Sequence, residues 1–323
     1  MARVVITGAA GFIGSCLVHY FSNQHHHEVI EVDDFQRPEK NLNFEPFTPY
    51  RRIQRKDFID WFRQEADSVD FVIHMGARTN TTEQNLHLLN ELNVFFSQEL
   101  WNLCTQHAVP MIYASSAATY GNGALGYSDD HQRVFSLVPM NPYGQSKQDF
   151  DVWVLKQQKS PPFWAGLKFF NVYGPNEYHK GRMASVVFQA YHQIKKNGSI
   201  QLFRSHRPDI ADGYQSRDFI YIKDIVKVIE FLFEQKPESA IYNLGSGVAN
   251  PFYALATATF DALGLPHNIA FIDTPEDIRS NYQYYTCAEM GKLRKTGYLT
   301  PFHTLQEGVF DYVQQYLSKD SYL

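Results

Sequence analysis

The sequence predicts an α/β protein with a doubly wound parallel sheet, followed by a second, smaller α/β domain. Three observations predict this fold class. Strands alternate with helices in the first half of the chain, three closely spaced glycines follow the first strand, and the second half is less regular and rich in Pro, Gly and Tyr. Apolar residues make up 44% of the 323 residues, which is sufficient for a large core.

The first half of the chain alternates between two kinds of apolar pattern. Short apolar runs predict strands at 3–7, 28–32, 70–74 and 111–114. Apolar residues at helical spacing predict helices at 14–23, 57–66 and 86–107. This βαβ alternation predicts a parallel sheet with helices on both faces and right-handed crossovers.

The second half contains fewer clear periods. A helix is predicted at 141–157, a strand at 163–171, a helix at 224–234, a strand at 240–244 and a polar surface loop at 205–216. We therefore expect a dinucleotide-binding domain over 1–170, to which segments at about 220–250 and 300–323 return. The segments at about 171–219 and 251–299 are expected to form the substrate domain.

Composition and charge exclude several classes of protein. A net charge of −5 argues against a general nucleic-acid binder, and no apolar run approaches the ~18–20 residues of a membrane span. The N-terminus has no signal-peptide pattern, and Cys16, Cys104 and Cys287 are scattered, so a reducing cytoplasm is expected. The run His25 to His27 is interpreted as a solvated turn rather than a metal site, because no acidic or cysteine partners are spaced to complete one.

The three glycines of GAAGFIG, Gly8, Gly11 and Gly14, lie between a strand and a helix. The first glycine permits a tight turn, the second lets a pyrophosphate approach the backbone, and the third lets helix and strand pack closely. The N-terminus of the helix then offers N–H groups and a partial positive charge to phosphates. The pattern predicts a dinucleotide site.

Asp33 follows the glycines by about 20 residues, at the end of the second predicted strand. Its carboxylate can accept hydrogen bonds from an adenosine ribose, which favours NAD because a carboxylate repels a 2′-phosphate. Basic residues downstream can supply the opposite preference: Arg37, Lys40, Arg51, Arg52 and Arg55. The residues alone leave NAD and NADP open.

Tyr143 and Lys147 stand four residues apart on a predicted helix and therefore share one face. A phenol with a pKa near 10 is a poor base at neutral pH, and a nearby ammonium stabilises its phenolate. The segment YASSAATYG supplies Ser116, whose hydroxyl can hold a reacting oxygen. With the dinucleotide motif, this set predicts redox chemistry at a hydroxyl-bearing carbon.

These stretches together resemble the extended short-chain dehydrogenase/reductase family and its NAD-dependent epimerase/dehydratase members. Over nearly the whole chain, GAAGFIGS, HMGARTNTTE, YASSAATYG, FFNVYGPNEYHKGRMASVVF and NYQYYT resemble, in this order, the ADP-heptose 6-epimerases of that family. The resemblance implies a Rossmann fold, a bound NADP, with NAD as the other possibility, and a homo-oligomer. It also implies inversion of C6 of an ADP-linked heptose for lipopolysaccharide inner-core synthesis.

The resemblance also implies roles for individual residues. The residues at catalytic positions are Ser116, Tyr143, Lys147 and Lys180, the last as a second acid/base. Those at cofactor positions are Gly8, Gly11, Phe12, Ile13, Gly14, Asp33, Asp34, Lys40, Arg55, Met75, Gly76, Ala77, Arg78, Thr79, Asn93, Tyr143, Lys147, Val172 and Lys180. Those at substrate positions are Ser116, Asn171, Arg182, Gln189, Phe203, Arg204, Ser205, His206, Arg217 and Tyr282.

Some of these positions depart from the family pattern. Arg182 stands in place of a serine, Gln189 in place of a histidine, Met75 in place of a glutamate, and the segment 203–206 lacks the usual Glu-Gly. Another nucleotide or a modified heptose therefore stays open as the substrate. So do a related 4-epimerase, dehydratase or reductase, although Ala117 and Ala118 after the serine disfavour a dehydratase. A non-catalytic nucleotide-bound protein is disfavoured because Ser116 and the Tyr-Lys pair are intact.

Overall fold

A seven-stranded parallel sheet forms the centre of the computed structural model, which describes residues 1–45, 50–279 and 282–323. Its strands are β1 (Arg3–Thr7), β2 (Glu28–Asp33), β3 (Arg51–Gln54), β4 (Phe71–His74), β5 (Met111–Ser116), β6 (Trp164–Phe169) and β10 (Ala240–Leu244). They are arranged in the order β3-β2-β1-β4-β5-β6-β10, and every neighbouring pair is parallel. The predicted doubly wound sheet is confirmed.

The strand order reverses between β1 and β4. From β1 the chain continues through β2 and β3 towards one edge of the sheet, and from β4 it continues through β5 and β6 towards the other. Ligands bind in the crevice at such a reversal, beyond the carboxyl ends of the strands. Both faces of the sheet are covered, because Val4 and Ile6 belong to one buried cluster and Val5 to another. This double coverage explains why the strands are continuous apolar runs rather than alternating ones.

Helices cover both faces of this sheet. The α-helices are α1 (Phe12–His19), α2 (Arg55–Glu65), α3 (Leu86–Leu89), α4 (Phe96–Gln106), α5 (His131–Val134), α6 (Pro142–Leu155), α7 (Val186–Asn197), α8 (Ile222–Gln235), α9 (Phe252–Leu263), α10 (Glu276–Arg279), α11 (Gly291–Lys295) and α12 (Leu305–Asp311). Helix α6 begins at an Asn-Pro pair, with the Asn141 side chain accepting from the Gly144 N–H at 2.8 Å.

Two smaller sheets are built from later segments. One contains β7 (Asn171–Tyr173), β9 (Ser216–Tyr221) and β11 (Ala249–Pro251), and the other pairs β8 (Ile200–Phe203) with β12 (Ile269–Ile272) in parallel. Strand β9 is parallel to β7 and antiparallel to β11. Since β6 ends at Phe169 and β7 begins at Asn171, the chain passes from the large sheet to the small one within two residues. The division into domains near residue 170 stays a prediction.

The structure differs from the sequence prediction in several elements, since the helices α7, α9 and α12 and the strands β8, β9, β11 and β12 were not predicted. The helix predicted over 86–107 is interrupted by a π-helical turn at Asn90–Phe95, and the strand predicted over 163–171 breaks at Phe170. Strand β3 was not predicted, because Arg51 and Arg52 are exposed at the edge of the sheet and only Ile53 is buried. An edge strand with charged side chains has little apolar signal.

The structure bears on membrane insertion in one respect. Within the three described ranges, no helix combines the length and apolar character needed to cross a membrane.

Candidate active site

The turn after β1 requires glycine at two positions. Gly8 has a φ of +71°, and a Cβ there would lie 2.8 Å from the backbone nitrogen of Gly76 after β4. A Cβ on Gly14 would lie 2.0 Å from the carbonyl oxygen of Gly8. The first glycine therefore allows β1 and β4 to end side by side, and the third allows α1 to pack onto the turn, as the glycine pattern predicts.

Asp33, at the carboxyl end of β2, holds the glycine turn in place. Its Oδ2 accepts from the Ala10 N–H at 3.0 Å, and its Oδ1 accepts from Lys40 Nζ at 2.9 Å and from the Asp34 N–H at 2.7 Å. Asp34 in turn pairs with Arg37 at 3.2 Å. The carboxylate is thus bonded to the loop and partly neutralised.

A buried chain of hydrogen bonds runs behind the end of β4. Thr7 Oγ1 lies 2.6 Å from His74 Nδ1 and accepts from the Gly76 N–H at 3.0 Å, while His74 Nε2 lies 2.9 Å from Ser97 Oγ. Burial lowers the pKa of His74 to about 3, so its imidazole is neutral. Asn93 holds the segment that follows β4, because its side chain accepts from the Arg78 N–H and donates to the Arg78 carbonyl.

These elements surround a first cavity of about 390 Å³, within the ~300–1,000 Å³ usual for cofactor sites. Fifteen of the sequence-predicted cofactor positions line it, namely Gly8, Gly11, Phe12, Ile13, Gly14, Asp33, Asp34, Lys40, Arg55, Met75, Gly76, Ala77, Arg78, Thr79 and Lys180. Asn93, Val172, Tyr143 and Lys147 are not on this wall. Asn93 lies behind it and holds the backbone of Arg78.

The first cavity fits a dinucleotide. Helix α1 starts at its wall with Gly11 as N-cap, and no side chain caps its first N–H groups. The helix N-terminus therefore presents N–H donors and a partial positive charge to a pyrophosphate. Asp33, Lys40 and Arg55 line the same cavity beyond the end of β2, where an adenosine ribose would lie.

Tyr143 and Ser116 line a second cavity of about 510 Å³. Burial raises the pKa of the Tyr143 phenol, and a hydrogen bond from the Ser116 side chain lowers it. Lys147, one helical turn further along α6, is buried and donates from Nζ to the Ala114 carbonyl at 2.8 Å. Burial lowers the pKa of Lys147 to about 8. The predicted serine, tyrosine and lysine are thus brought together where β5 ends.

A buried ion pair supports this set from below. Lys168 of β6 and Asp151 of α6 are both fully buried and lie 2.7 Å apart. Asp151 also accepts from Ser115 Oγ at 2.6 Å, and Lys168 donates to Thr119 Oγ1 at 2.7 Å. The pair therefore ties β5, β6, α6 and the turn Ala117–Tyr120 together directly behind Ser116.

Lys180 lies on the first cavity rather than the second, with Nζ 5.4 Å from the centre of the Phe12 ring. Burial lowers its pKa, and attraction to Glu177 opposes that change. The preceding residues are firmly attached, since Asn176 donates to Ser15 Oγ at 3.0 Å and Glu177 accepts from the Ser185 N–H at 2.5 Å. The two cavities adjoin at residues 79–81, because Thr79 and Asn80 line the first and Thr81 lines the second.

Three predicted substrate residues besides Ser116 line the second cavity: Asn171, Arg217 and Tyr282. The guanidinium of Arg217 lies 5.6 Å from the centre of the Tyr282 ring, and burial lowers the pKa of this guanidinium. Asn171 donates to the Asp218 carbonyl at 3.0 Å. Of the motif NYQYYT, Asn281 lies outside the described residues.

Six other predicted substrate residues line neither cavity. They are Arg182, Gln189, Phe203, Arg204, Ser205 and His206. Arg182 is exposed, and Gln189 donates to the Gly181 carbonyl at 2.8 Å. Arg204 faces Asp212 and Asp273, at 3.7 and 3.4 Å. Their roles stay predictions.

Sequence reasoning missed four polar residues of the second cavity, namely Thr81, Asn141, Gln283 and Thr286. Asn141 carries a local signal, because an Asn-Pro pair marks a helix start. Gln283 and Thr286 carry none beyond their place in NYQYYT, because the cavity is assembled from distant segments. Thr286 Oγ1 is buried and has no hydrogen-bond partner among the described residues.

The interpretation of the histidine run requires one correction. His25 Nε2 lies 2.9 Å from Glu230 Oε1, and Glu234 of the same helix lies close enough for the three to form a possible cation-binding group. Acidic side chains that the sequence spacing did not show therefore lie beside the run, and the absence of a metal site stays a prediction. The partners come from α8, about 200 residues away in sequence, and so were invisible to local spacing.

The chain is similar to known epimerases over its whole length. A model of the NAD dependent epimerase/dehydratase family matches residues 4–245. The chain is 44% identical to the ADP-L-glycero-D-manno-heptose-6-epimerase of Fusobacterium nucleatum subsp. nucleatum, over 99% of this chain and 100% of the relative. It is also 44% identical to the enzyme of that name from Nitratidesulfovibrio vulgaris strain Hildenborough, over 97% and 98%.

Solved structures agree with this fold. The crystal structure of Helicobacter pylori ADP-L-glycero-D-manno-heptose-6-epimerase aligns with a TM-score of 0.81 at 27% identity, covering 97% of this chain and 96% of the other. A UDP-N-acetylglucosamine 4-epimerase from Methanobrevibacter ruminantium aligns with a TM-score of 0.82 at 22% identity, over 98% and 99%. At that identity the second likeness concerns the fold alone.

Proposed function

The chain belongs to the NAD dependent epimerase/dehydratase family, and from this premise we propose that it is an ADP-L-glycero-D-manno-heptose 6-epimerase. It converts ADP-D-glycero-D-manno-heptose into the L-glycero form, for lipopolysaccharide inner-core synthesis. The observation that carries the proposal is the position of Tyr143 and Ser116 on a cavity that adjoins the glycine-rich one. The names of relatives at 44% identity over nearly the full chain select the sugar.

Inversion at C6 requires a redox route, because that carbon has no neighbour that acidifies its C–H bond. The bound nicotinamide dinucleotide supplies reversible hydride transfer. The chain itself must move the hydroxyl proton and hold the sugar while its 6-keto group turns to offer the opposite face. Proton transfer requires about 2.6–3.2 Å between heavy atoms, so one fixed base serves two opposite faces poorly.

Tyr143 is the first acid/base in this proposal. Burial raises the pKa of the Tyr143 phenol, the nearby Ser116 hydroxyl opposes that rise, and Lys147 stands one helical turn away. The ammonium of Lys147 favours the phenolate and is held by the Ala114 carbonyl. Ser116 lines the same cavity, and in this proposal its hydroxyl holds the reacting oxygen.

Lys180 is the second acid/base in this proposal. Its side chain is half-buried on the wall of the first cavity, and burial lowers its pKa towards the range in which an amine can accept a proton. It approaches from the cofactor side, whereas Tyr143 and Ser116 lie on the second cavity. In this proposal the two groups serve the two faces of the sugar from these different walls.

The direct test is incubation of the purified protein with ADP-D-glycero-D-manno-heptose, followed by proton NMR of the sugar. We expect inversion at C6 and no deuterium at C6 when the reaction is run in heavy water, because the hydride returns to its own molecule. A change at C4 instead favours a related 4-epimerase. An unchanged sugar spectrum contradicts the proposal.

Two substitutions test the assigned bases. Tyr143→Phe and Lys180→Met should each lower kcat by about 10²–10⁴-fold, the usual contribution of a positioned acid or base. Tyr191→Phe loses a comparable hydroxyl, bonded to the Leu317 carbonyl away from both cavities, and Lys195→Met loses an exposed lysine. Both controls should keep activity. Near-normal turnover by Lys180→Met contradicts the two-base scheme.

The cofactor, the compartment and the oligomeric state that we propose follow the pattern of the same family. The proposed cofactor is NADP, because Lys40 neutralises Asp33 and Arg55 lines the same part of the cavity, which suits a 2′-phosphate. The proposed state is a cytoplasmic homo-oligomer, and the three cysteines are free thiols, as a reducing compartment requires. Absorbance and mass of the cofactor released from purified protein distinguish NADP from NAD.

A further inference from the structure

His179 lines the first cavity and has no role in the scheme above. It lies in the turn Tyr178–Met183, directly before Lys180, and is half-buried. Burial, together with the charges of Lys40 and Lys180, lowers the pKa of His179 to about 4, so its ring is neutral at neutral pH. A neutral imidazole carries one proton and donates from only one of its two nitrogens.

Asn43 determines which nitrogen of His179 carries that proton. The side-chain nitrogen of Asn43 donates to the Ala10 and Asn176 carbonyl oxygens, each at 3.1 Å, and these two acceptors identify it as the nitrogen rather than the oxygen of the amide. The same nitrogen lies 3.1 Å from His179 Nδ1. An amide nitrogen only donates, so Nδ1 accepts in this contact and the proton is assigned to Nε2.

The Nε2 atom of His179 is left available to a ligand. Within residues 1–45, 50–279 and 282–323, the ring is bonded to Asn43 through Nδ1 and has no partner at Nε2. Nε2 is also not one of the unpaired side-chain atoms that are sealed from solvent in these ranges. An accessible N–H donor therefore belongs to a residue on the cavity wall, where a bound molecule can accept from it.

The position of the ring indicates which part of a dinucleotide it meets. Because the Asn43 amide bonds both the Ala10 carbonyl and the His179 ring, the ring lies beside the glycine turn. Ala10 directly precedes Gly11, the N-cap of α1, and no side chain caps the first N–H groups of that helix. A phosphate held by these N–H groups has a further donor close by, on the turn Tyr178–Met183.

We propose that His179 donates a hydrogen bond from Nε2 to a phosphate oxygen of the bound dinucleotide; this deepens the function proposed above and rests on it. Because His179 and Lys180 are consecutive, the same bond ties the cofactor to the turn that carries the second acid/base. Two phosphates offer this chemistry, the pyrophosphate common to NAD and NADP and the 2′-phosphate of NADP, and the experiment distinguishes them.

The test compares His179→Leu, which removes the donor, with His179→Gln, whose amide N–H can take the place of Nε2. The measurement is the rate at which cofactor leaves the loaded protein, followed by mass after mixing with an excess of isotope-labelled dinucleotide. We expect His179→Leu to release cofactor about 10–100-fold faster, the effect of one hydrogen bond to a charged group. His179→Gln should release it at nearly the wild-type rate. His192→Leu, which changes an exposed histidine outside both cavities, is the control and should behave as wild type.

Loading the proteins with NADP, NAD or ADP-ribose identifies the phosphate. Faster release of NADP alone from His179→Leu indicates the 2′-phosphate. Faster release of all three indicates the pyrophosphate, since ADP-ribose contains that group and lacks nicotinamide. Faster release of both cofactors with unchanged release of ADP-ribose assigns the bond to the nicotinamide and overturns the proposal, and so does faster release of NAD without NADP.

Two further outcomes overturn the proposal. One is equal release rates in wild type and His179→Leu with both cofactors, and the other is a His179→Gln protein that releases cofactor as fast as His179→Leu. His179→Ala, which removes the donor without adding an apolar branch, is measured in parallel and should also release cofactor faster than wild type. A wild-type rate in that variant counts against the proposal in the same way.

Failure of this proposal is distinguishable from failure of the proposed function, because cofactor release requires no sugar. A wild type that holds its cofactor but leaves ADP-D-glycero-D-manno-heptose unchanged contradicts the epimerase function, and the release rates still decide the role of His179. A wild type that epimerises the sugar and releases cofactor at the rate of His179→Leu keeps the function and overturns the role of His179.

Discussion

The two cavities of this molecule are built differently. In the first, the polar side chains bond each other before any ligand is considered: Asp33 holds the Ala10 N–H and Lys40, and the chain from Thr7 through His74 fixes the end of β4. The second cavity retains the unbonded hydroxyl of Thr286. The part of the first wall around Asp33 and the end of β4 is therefore fixed before any ligand binds, whereas the first N–H groups of α1 have no side-chain cap.

This difference corresponds to two kinds of ligand. A redox cofactor that is reoxidised in every cycle can stay bound, so a rigid, satisfied wall suits it. A substrate must enter and leave, and the wall of the second cavity is assembled from distant segments, from Thr81 to Thr286.

The largest expected effect concerns the glycine turn of the first cavity. Gly14→Ala places a Cβ 2.0 Å from the Gly8 carbonyl oxygen, and a backbone atom cannot move aside cheaply. We expect a loss of unfolding free energy above about 4 kcal/mol and protein that purifies without cofactor. Gly291→Ala, where nothing lies within 4 Å, is the control and should behave as wild type in urea denaturation.

The next effect tests the support of the second cavity. Lys168→Met leaves the buried carboxylate of Asp151 unpaired, and breaking such a pair costs about 3 kcal/mol or more. Urea denaturation of the single variant should show this loss. The double variant Lys168→Met/Asp151→Asn removes both charges and should recover part of it. Equal stability of the single variant and wild type would mean that the pair does not brace the serine turn.

A smaller effect is the pH dependence of the unfolding free energy that arises from Lys147. Its folded pKa of about 8 lies below the usual 10.5, so between these values the unfolded chain binds more protons than the folded one. Unfolding free energy should therefore rise with pH across this window, by about 2 kcal/mol from pH 8 to 9.5, relative to Lys147→Met. Urea titrations of both proteins at the two pH values measure it. Parallel pH dependence in the two proteins is the contrary outcome.

The smallest effect concerns cofactor choice in the first cavity. Arg55 begins α2 at the cavity wall, so Arg55→Ala should lower the preference for NADP over NAD by about 10-fold. Arg63→Ala, on the same helix but paired with Asp60 and Glu99 outside the cavity, is the control. Fluorescence titration of cofactor-free protein with each dinucleotide gives the ratio. An unchanged ratio assigns the choice to Lys40 and its neighbours.

The sequence predicted the first cavity well because its parts are local. Gly8, Gly11 and Gly14 lie within seven residues, and Asp33 follows at the end of the next strand, so strand, turn and helix place them by backbone geometry alone. Tyr143 and Lys147 share a helical face for the same reason. Strand β3 escaped notice because exposed arginines at a sheet edge have no apolar period.

The second cavity shows the limit of such reasoning. The resemblance to the family implied substrate positions for Ser116, Asn171, Arg217 and Tyr282, which line one cavity, and for the segment 203–206, which lines neither cavity. No period or motif marked Thr286 as an unbonded hydroxyl. Whether the Thr286 hydroxyl is buried and lacks a partner depends on the residues around it, and those residues come from other segments of the chain.

The amino-acid sequence alone thus determined the parallel sheet, the glycine turn and the tyrosine–lysine spacing, because each depends on neighbours within one or two elements. Only the tertiary structure decided which residues face the second cavity, which hydroxyl is left without a partner, and that Lys180 approaches from the cofactor side. The physical reason is distance along the chain. That wall joins residues from 81 to 286, and strand order and loop paths, not local spacing, bring them together.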